Sequence, residues 1–292
     1  MKTRATLIGF TAILMWALLA LFTAASGKMP PFQLSAICFL IGSLPGLFVL
    51  AARPERIAKL KQPAKVWLTG ILGLFGYHFL YFTALRNAPA VEASLIAYLW
   101  PLLIVTGSAL LPGERLKWNH VVGTLLGLGG TALIVGRNGF DFDSAYLIGY
   151  GAAFLCAFTW AGYSLATRRF EAASTDVVTG FCLATSLLSL LCHLMLETTV
   201  WPQTGFEWLA VAGLGLLPVG AAFYVWDFGV KNGDIQILGA ASYAAPLLST
   251  LVLILSGFAE PSWSIGFACL LVTGGAVLAA KDMILRRRAV TA

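Results

Sequence analysis

Nine side chains of one chemical kind recur through the apolar stretches of this chain: Trp16, Tyr77, Tyr81, Tyr98, Trp100, Trp160, Tyr163, Tyr224 and Tyr243. Each has a flat apolar face and one polar tip. Gathered in a low-dielectric interior, such rings offer stacking and cation–π contacts to a planar or cationic ligand, and their N–H and O–H groups need a partner or a wet cavity. Tyr77 with Tyr81, and Trp160 with Tyr163, have the i, i+4 and i, i+3 spacing that puts two rings on one helix face. Any one of these rings is explained equally well by packing between helices; the set as a whole points to a binding cavity. Tyr224 and Trp226 lie nearer the end of their apolar run and are the weaker members.

Ionisable groups within the apolar runs are few. His78 lies well inside one, either as part of a ligand site or bonded to a neighbouring helix. Asp227 lies about one turn from the end of its run with Lys231 four residues on, the spacing of an interfacial ion pair. Glu92, at a helix start near Arg86, reads as structural. No carboxylate falls at the middle of a run, which favours facilitated flux or exchange over carboxylate-driven proton antiport. There is no His-Glu-x-x-His, Gly-x-Ser-x-Gly or Walker sequence, so nothing points to an enzyme. The five cysteines fall in apolar stretches with no metal-ligand spacing and read as packing residues. No metal or cofactor is implied.

The elements that must hold these rings follow from composition. The 292 residues are 59% hydrophobic and 11% charged, with a mean hydropathy of +0.85, which describes a polytopic membrane protein in contact with lipid. Ten apolar runs near the length of a crossing helix occupy about 4–26, 32–52, 66–86, 90–111, 118–136, 145–167, 176–197, 207–230, 235–257 and 262–281. The first also resembles a secretory leader, but it lacks a separate short core and is needed for symmetry, so it reads as an uncleaved span. With both termini cytoplasmic, only Lys28, Arg86 and Arg137 of the 19 basic residues lie outside, as the positive-inside rule requires. Arg286, Arg287 and Arg288 then form a basic cytoplasmic anchor. The net charge of +6 is a topology signal with attraction to anionic lipid, and no basic stripe suited to nucleic acid occurs in a soluble stretch.

The runs fall into two similar halves. Asn87-Ala88-Pro89 … Tyr98-Leu99-Trp100-Pro101-Leu102-Leu103 returns about 145 residues later as Asn232-Gly233-Asp234 … Tyr243-Ala244-Ala245-Pro246-Leu247-Leu248, and Gly129-Gly130-Thr131-Ala132-Leu133 returns as Gly274-Gly275-Ala276-Val277-Leu278. An odd number of spans separates the copies, so the second lies upside down in the bilayer. The expected organisation is a first five-helix repeat over 1–137, a loop over 138–144, and an inverted repeat with a basic tail over 145–292. Pro101 and Pro246 occupy matching places mid-span, where each removes an amide donor and kinks its helix, so they are candidate hinges. Inverted repeats with breaks near mid-span are the architecture of a secondary carrier of small molecules.

These features, with Ala5-Thr6-Leu7-Ile8-Gly9, Tyr98-Leu99-Trp100-Pro101, Trp160-Ala161-x-Tyr163, Trp226-Asp227-x-Gly229-Val230 and Ser242-Tyr243-x-x-Pro246, resemble the drug/metabolite transporter superfamily of EamA-like ten-helix carriers. The resemblance is greatest to bacterial aromatic amino-acid exporters of the YddG type and covers essentially the whole chain. It implies an all-α carrier of the bacterial inner membrane that moves aromatic amino acids outward, tolerates other compounds including the dication paraquat, and uses a central pathway lined by helices 1, 3, 4, 6, 8 and 9. A broad cationic-drug exporter using the same rings is the alternative expectation, and a non-transporting membrane scaffold or receptor is a third.

Overall fold

The computed structural model describes residues 2–135, 143–257 and 263–281. Within them the regular structure is helical throughout. In chain order the long helices are α1 (Lys2–Ala25), α2 (Pro31–Ala52), α3 (Ala64–Asn87), α4 (Glu92–Leu110), α5 (Trp118–Val135), α6 (Ser144–Arg169), α7 (Val177–Leu196), α8 (Gly205–Asn232), α9 (Ile235–Leu255) and α10 (Trp263–Ala279). Eight of them are individually long and apolar enough to cross a membrane, and α5 and α10 are further apolar helices of 18 and 17 residues. Most of the expected inter-repeat loop and the Arg286-Arg287-Arg288 anchor lie outside the described residues. Outward-facing side chains such as Phe48, Leu68, Ile148 and Met195 are largely exposed, which suits hydrocarbon rather than water.

The helices pair in a pattern that survives exchange of the two halves. α2 packs on α7 and α5 on α10, while α1 of the first half packs on α8 of the second and α6 of the second packs on α3 of the first. The halves are therefore interleaved.

Between helices in lipid there is no hydrophobic drive, so close contact depends on small residues. A Cβ on Gly9 would come within 2.9 Å of Gly229 Cα, joining α1 to α8, and one on Gly123 would come within 2.4 Å of Gly275 O, joining α5 to α10. Gly42 of α2 lies against Gly220 of α8, where an added Cβ would meet the Gly220 Cα at 2.7 Å.

Backbone irregularities also recur at matching places. α3 carries a π-turn at Leu72–Gly76 and α8 carries one at Leu217–Ala221. In α8 the turn contains Pro218, whose missing N–H cannot continue the i→i−4 ladder. α4 breaks at residues 98–99 and α9 at 242–243, each just before its proline. There the ladder tightens to bonds three residues back: Leu99 N–H to Ile96 O at 3.1 Å, and Ala245 N–H to Ser242 O at 3.0 Å.

Because Gly42 faces backbone rather than a flexible side chain, Gly42→Val should force α2 from the α8 π-turn and cost about 1–3 kcal/mol, as overpacking does. Thermal unfolding of the purified protein in detergent should show the midpoint falling, whereas Gly151→Ala, which adds a Cβ into open space, should leave it in place.

Candidate functional site

Where α1, α4, α6 and α8 meet, four indoles pack against one another. Trp16, Trp100, Trp160 and Trp226 form six pairs, with ring centroids from 5.1 Å (Trp16–Trp226) to 6.2 Å (Trp16–Trp100 and Trp160–Trp226). Most pairs are edge-to-face or tilted, the arrangement in which a ring's positive edge meets a neighbour's negative face. The Trp16 Nε1 donates to the Pro218 carbonyl in the α8 π-turn at 3.1 Å, and the Trp226 Nε1 donates to Ser164 Oγ of α6 at 3.2 Å. A backbone irregularity in one half thus satisfies an indole of the other.

Trp226, expected to be a weak member near the end of its span, is fully buried in this tetrad. Phe223, three residues earlier on the same face, touches Trp16 and Trp160; this i, i+3 relation was the available signal.

Tyr77, Tyr81 and His78 border the tetrad from α3. Tyr77 lies 5.4 Å from Trp160 and stacks nearly parallel on Tyr81 at 6.0 Å, and the Tyr81 hydroxyl is 3.3 Å from Ser94 Oγ. His78 bonds within its own helix rather than to a neighbouring one: Nδ1 meets the Leu74 carbonyl in the π-turn at 2.7 Å. Its ring is held edge-on to Phe39 at 5.0 Å. Tyr163 joins the tetrad through Trp160 at 5.2 Å and presses on Gly73 of the α3 π-turn, where no Cβ would fit.

Tyr98, Tyr224 and Tyr243 make no ring-to-ring contact with the four indoles among the described residues. Tyr243 is fully buried in a separate cluster with Leu247, Ile265 and Val272, on which Tyr98 packs. Tyr224 is half-buried, and its hydroxyl donates to Thr179 Oγ1 of α7 at 3.2 Å. Pro101 is buried directly after Trp100, and Pro246 directly precedes Leu247 of the Tyr243 cluster. The rings expected to surround an open cavity therefore fill the centre in this arrangement.

Charged networks close both ends. At one, Glu114 pairs with Arg168 at 2.9 Å and Lys2 at 3.8 Å, and Lys2 also reaches Asp234 at 3.3 Å. Arg168 donates further to the carbonyls of Val230 and Lys231. The Asp227–Lys231 pair forms as the i, i+4 spacing requires, at 2.9 Å, but both side chains are buried rather than interfacial. At the other end, Glu197 accepts from Arg86 at 2.7 Å and from the Phe32 and Gln33 N–H groups at the start of α2, where a carboxylate suits the helix dipole.

With this geometry in view, the comparisons with known proteins are direct. The model of the EamA-like transporter family matches residues 3–136 and, a second time, 147–280. The chain belongs to that family. The aromatic amino acid exporter YddG of Ancylobacter novellus is 55% identical over 280 residues, covering 95% of this chain and 97% of the relative. YddG of Escherichia coli is 28% identical over 291 residues, with 95% and 97% covered. The pseudopaline exporter CntI of Pseudomonas aeruginosa is 28% identical over 224 residues, with 74% and 75% covered. A crystal structure 55% identical to this chain superposes with a TM-score of 0.91 over 96% of this chain and 98% of its own.

Arg56, in the connection between α2 and α3, grips Asp176, the residue before α7, through Nε at 3.0 Å and Nη2 at 2.6 Å. Burial pushes the Asp176 carboxyl up, but bonds from Arg56 and Ser174 outweigh it and hold the group below its usual 3.8. A carboxyl lowered on folding contributes stability above its unfolded value that disappears as pH falls through the folded one. The melting midpoint should therefore drop on acidification below about pH 4, and Arg56→Ala should shrink that drop. Thermal unfolding across the acid range checks both.

Proposed function

We propose that this member of the family exports aromatic amino acids from the cytoplasm across the bacterial inner membrane. The observation that carries the reading is the tetrad Trp16, Trp100, Trp160 and Trp226 with Tyr77 beside it: four helices contribute flat π faces to one point, and a planar ring entering there exchanges indole contacts for its own. The high identity to a relative named as an aromatic amino acid exporter supports the same substrate class.

In this reading ten helices cross the bilayer as two inverted sets of five, over 1–137 and 145–292 with a connection at 138–144, and both termini face the cytoplasm. Support comes from the double family match, the paired π-turns and the distribution of Lys and Arg. Trp16, Tyr77, His78, Tyr81, Tyr98, Trp100, Trp160, Tyr163, Tyr224 and Tyr243 border the route, and Pro101 and Pro246 let α4 and α9 flex. Transport is facilitative or by exchange.

Flux of labelled phenylalanine, tyrosine and tryptophan into proteoliposomes, with and without a pH gradient, tests the proposal. Flux should exceed that of empty liposomes and persist without the gradient. Trp100→Ala should lower it about tenfold or more while the protein still elutes as a folded species; unchanged kinetics would remove the tetrad from the route. Trp16→Phe, which keeps a ring but loses the donor to Pro218, should cost about 0.5–1.5 kcal/mol in unfolding measurements.

A further inference from the structure

The tetrad can recognise a ring, but an amino acid also carries an ammonium and a carboxylate, and the tetrad offers neither a cation nor an anion to receive them. His78 beside it is engaged with Leu74. Opposite charges do lie together elsewhere in the bundle. A narrow recess between α3, α6, α7 and α8 is lined by Thr69 and Gly70, Thr167, Phe181, and the ion pair Asp227–Lys231.

We infer that Asp227 and Lys231 form a loading subsite that binds the α-ammonium and α-carboxylate of the zwitterion before its ring reaches the tetrad. The inference rests on the amino-acid reading above and names the group that recognises the backbone end of that substrate.

Three observations carry it. First, the pair is almost wholly buried, with side chains 1% and 3% exposed, although replacing a buried ion pair by apolar residues of similar volume often leaves a protein as stable or more so. Charges inside a membrane helix bundle characteristically line a substrate path. Second, both groups retain bonding capacity. Lys231 Nζ donates to Asp227 Oδ2 and to the Ala173 carbonyl, each at 2.9 Å, two of its three hydrogens. Asp227 Oδ2 also accepts from Thr175 Oγ1 at 2.6 Å, while Oδ1 carries no hydrogen bond among the described residues. A ligand ammonium can take Oδ1 and a ligand carboxylate the third Nζ hydrogen without dismantling the pair. The neighbouring charges are committed: Arg168 to Glu114 and to the carbonyls of Val230 and Lys231, and Arg56 to Asp176.

Third, the recess adjoins the tetrad. Asp227 directly follows Trp226 on α8, and α6 runs from Trp160 through Tyr163 to Thr167 at the recess wall. In the proposed orientation this end of α8 faces the cytoplasm, the side from which an exporter loads. The recess is too narrow for an amino acid in the arrangement described, so loading requires α3 or α6 to part from α8.

The test is competition against labelled phenylalanine flux in proteoliposomes by three compounds with the same ring: unlabelled phenylalanine, phenethylamine with the ammonium only, and 3-phenylpropionate with the carboxylate only. Wild-type protein should be inhibited at least about tenfold more strongly by phenylalanine than by either analogue. Lys231→Met should raise the relative strength of the amine, and Asp227→Asn that of the acid, a crossover that mere loss of packing would not produce. Single variants strand a buried charge, so Asp227→Leu/Lys231→Met, which removes both, provides the folding-tolerant case; the three compounds should then compete within about threefold of one another. Wild-type flux without discrimination, or discrimination unchanged in the double variant, overturns the subsite while leaving aromatic amino-acid export standing. Absence of any wild-type phenylalanine flux overturns both.

Discussion

The crossing of α1 and α8 at Gly9 and Gly229 governs the interior of this molecule. With no side chain on either residue, the two backbones meet at a distance that a single methyl group would forbid, and within that contact dispersion replaces the missing hydrophobic drive. Two turns further along α1 the same proximity sets Trp16 against Trp226 at 5.1 Å, the shortest centroid distance in the tetrad. Trp100 and Trp160 are then brought onto this pair by α4 and α6. Separating α1 from α8 would dismantle the centre without touching any of its rings.

Backbone groups impose the second constraint, because a membrane interior offers little water to satisfy them. The π-turns of α3 and α8 interrupt the regular ladder, and a carbonyl within each meets an aromatic side chain: Pro218 O accepts from Trp16, and Leu74 O, which also accepts from the Tyr77 N–H, meets His78. The irregular points are thus attached to the aromatic centre, so the backbone geometry and the ring geometry cannot change independently. The prolines at 101 and 246 act differently, tightening the preceding turn rather than presenting a carbonyl to a ring.

Much of this was readable from residue type and spacing. The apolar runs, the repeat, the Tyr77–Tyr81 face and the Trp160–Tyr163 face depend on local periodicity, which a linear sequence records directly. Trp226 was undervalued because distance from a span end measures depth poorly when the helix contains a π-turn, which shifts the register of every later residue. For Tyr224 and Tyr243 the limit is different: aromatic character gives no direction, and neighbours from α7 and α10 decide where those rings point. The pairing of Arg86 with Glu197 joins residues 111 positions apart and leaves no periodic trace. The π-turn of α3 was equally hidden, since Leu72-Gly73-Leu74-Phe75-Gly76 contains no proline to announce it.

Four of the nine tryptophans of this chain share one cluster in which no ring centre is more than 6.2 Å from another. At such separations each indole lies in the asymmetric field of the others, with four of the six pairs at interplanar angles between 76° and 87°. The centre of the bundle consequently carries its own optical label: any event that parts these rings rewrites the near-ultraviolet circular dichroism of the whole molecule, without a dye or an introduced probe.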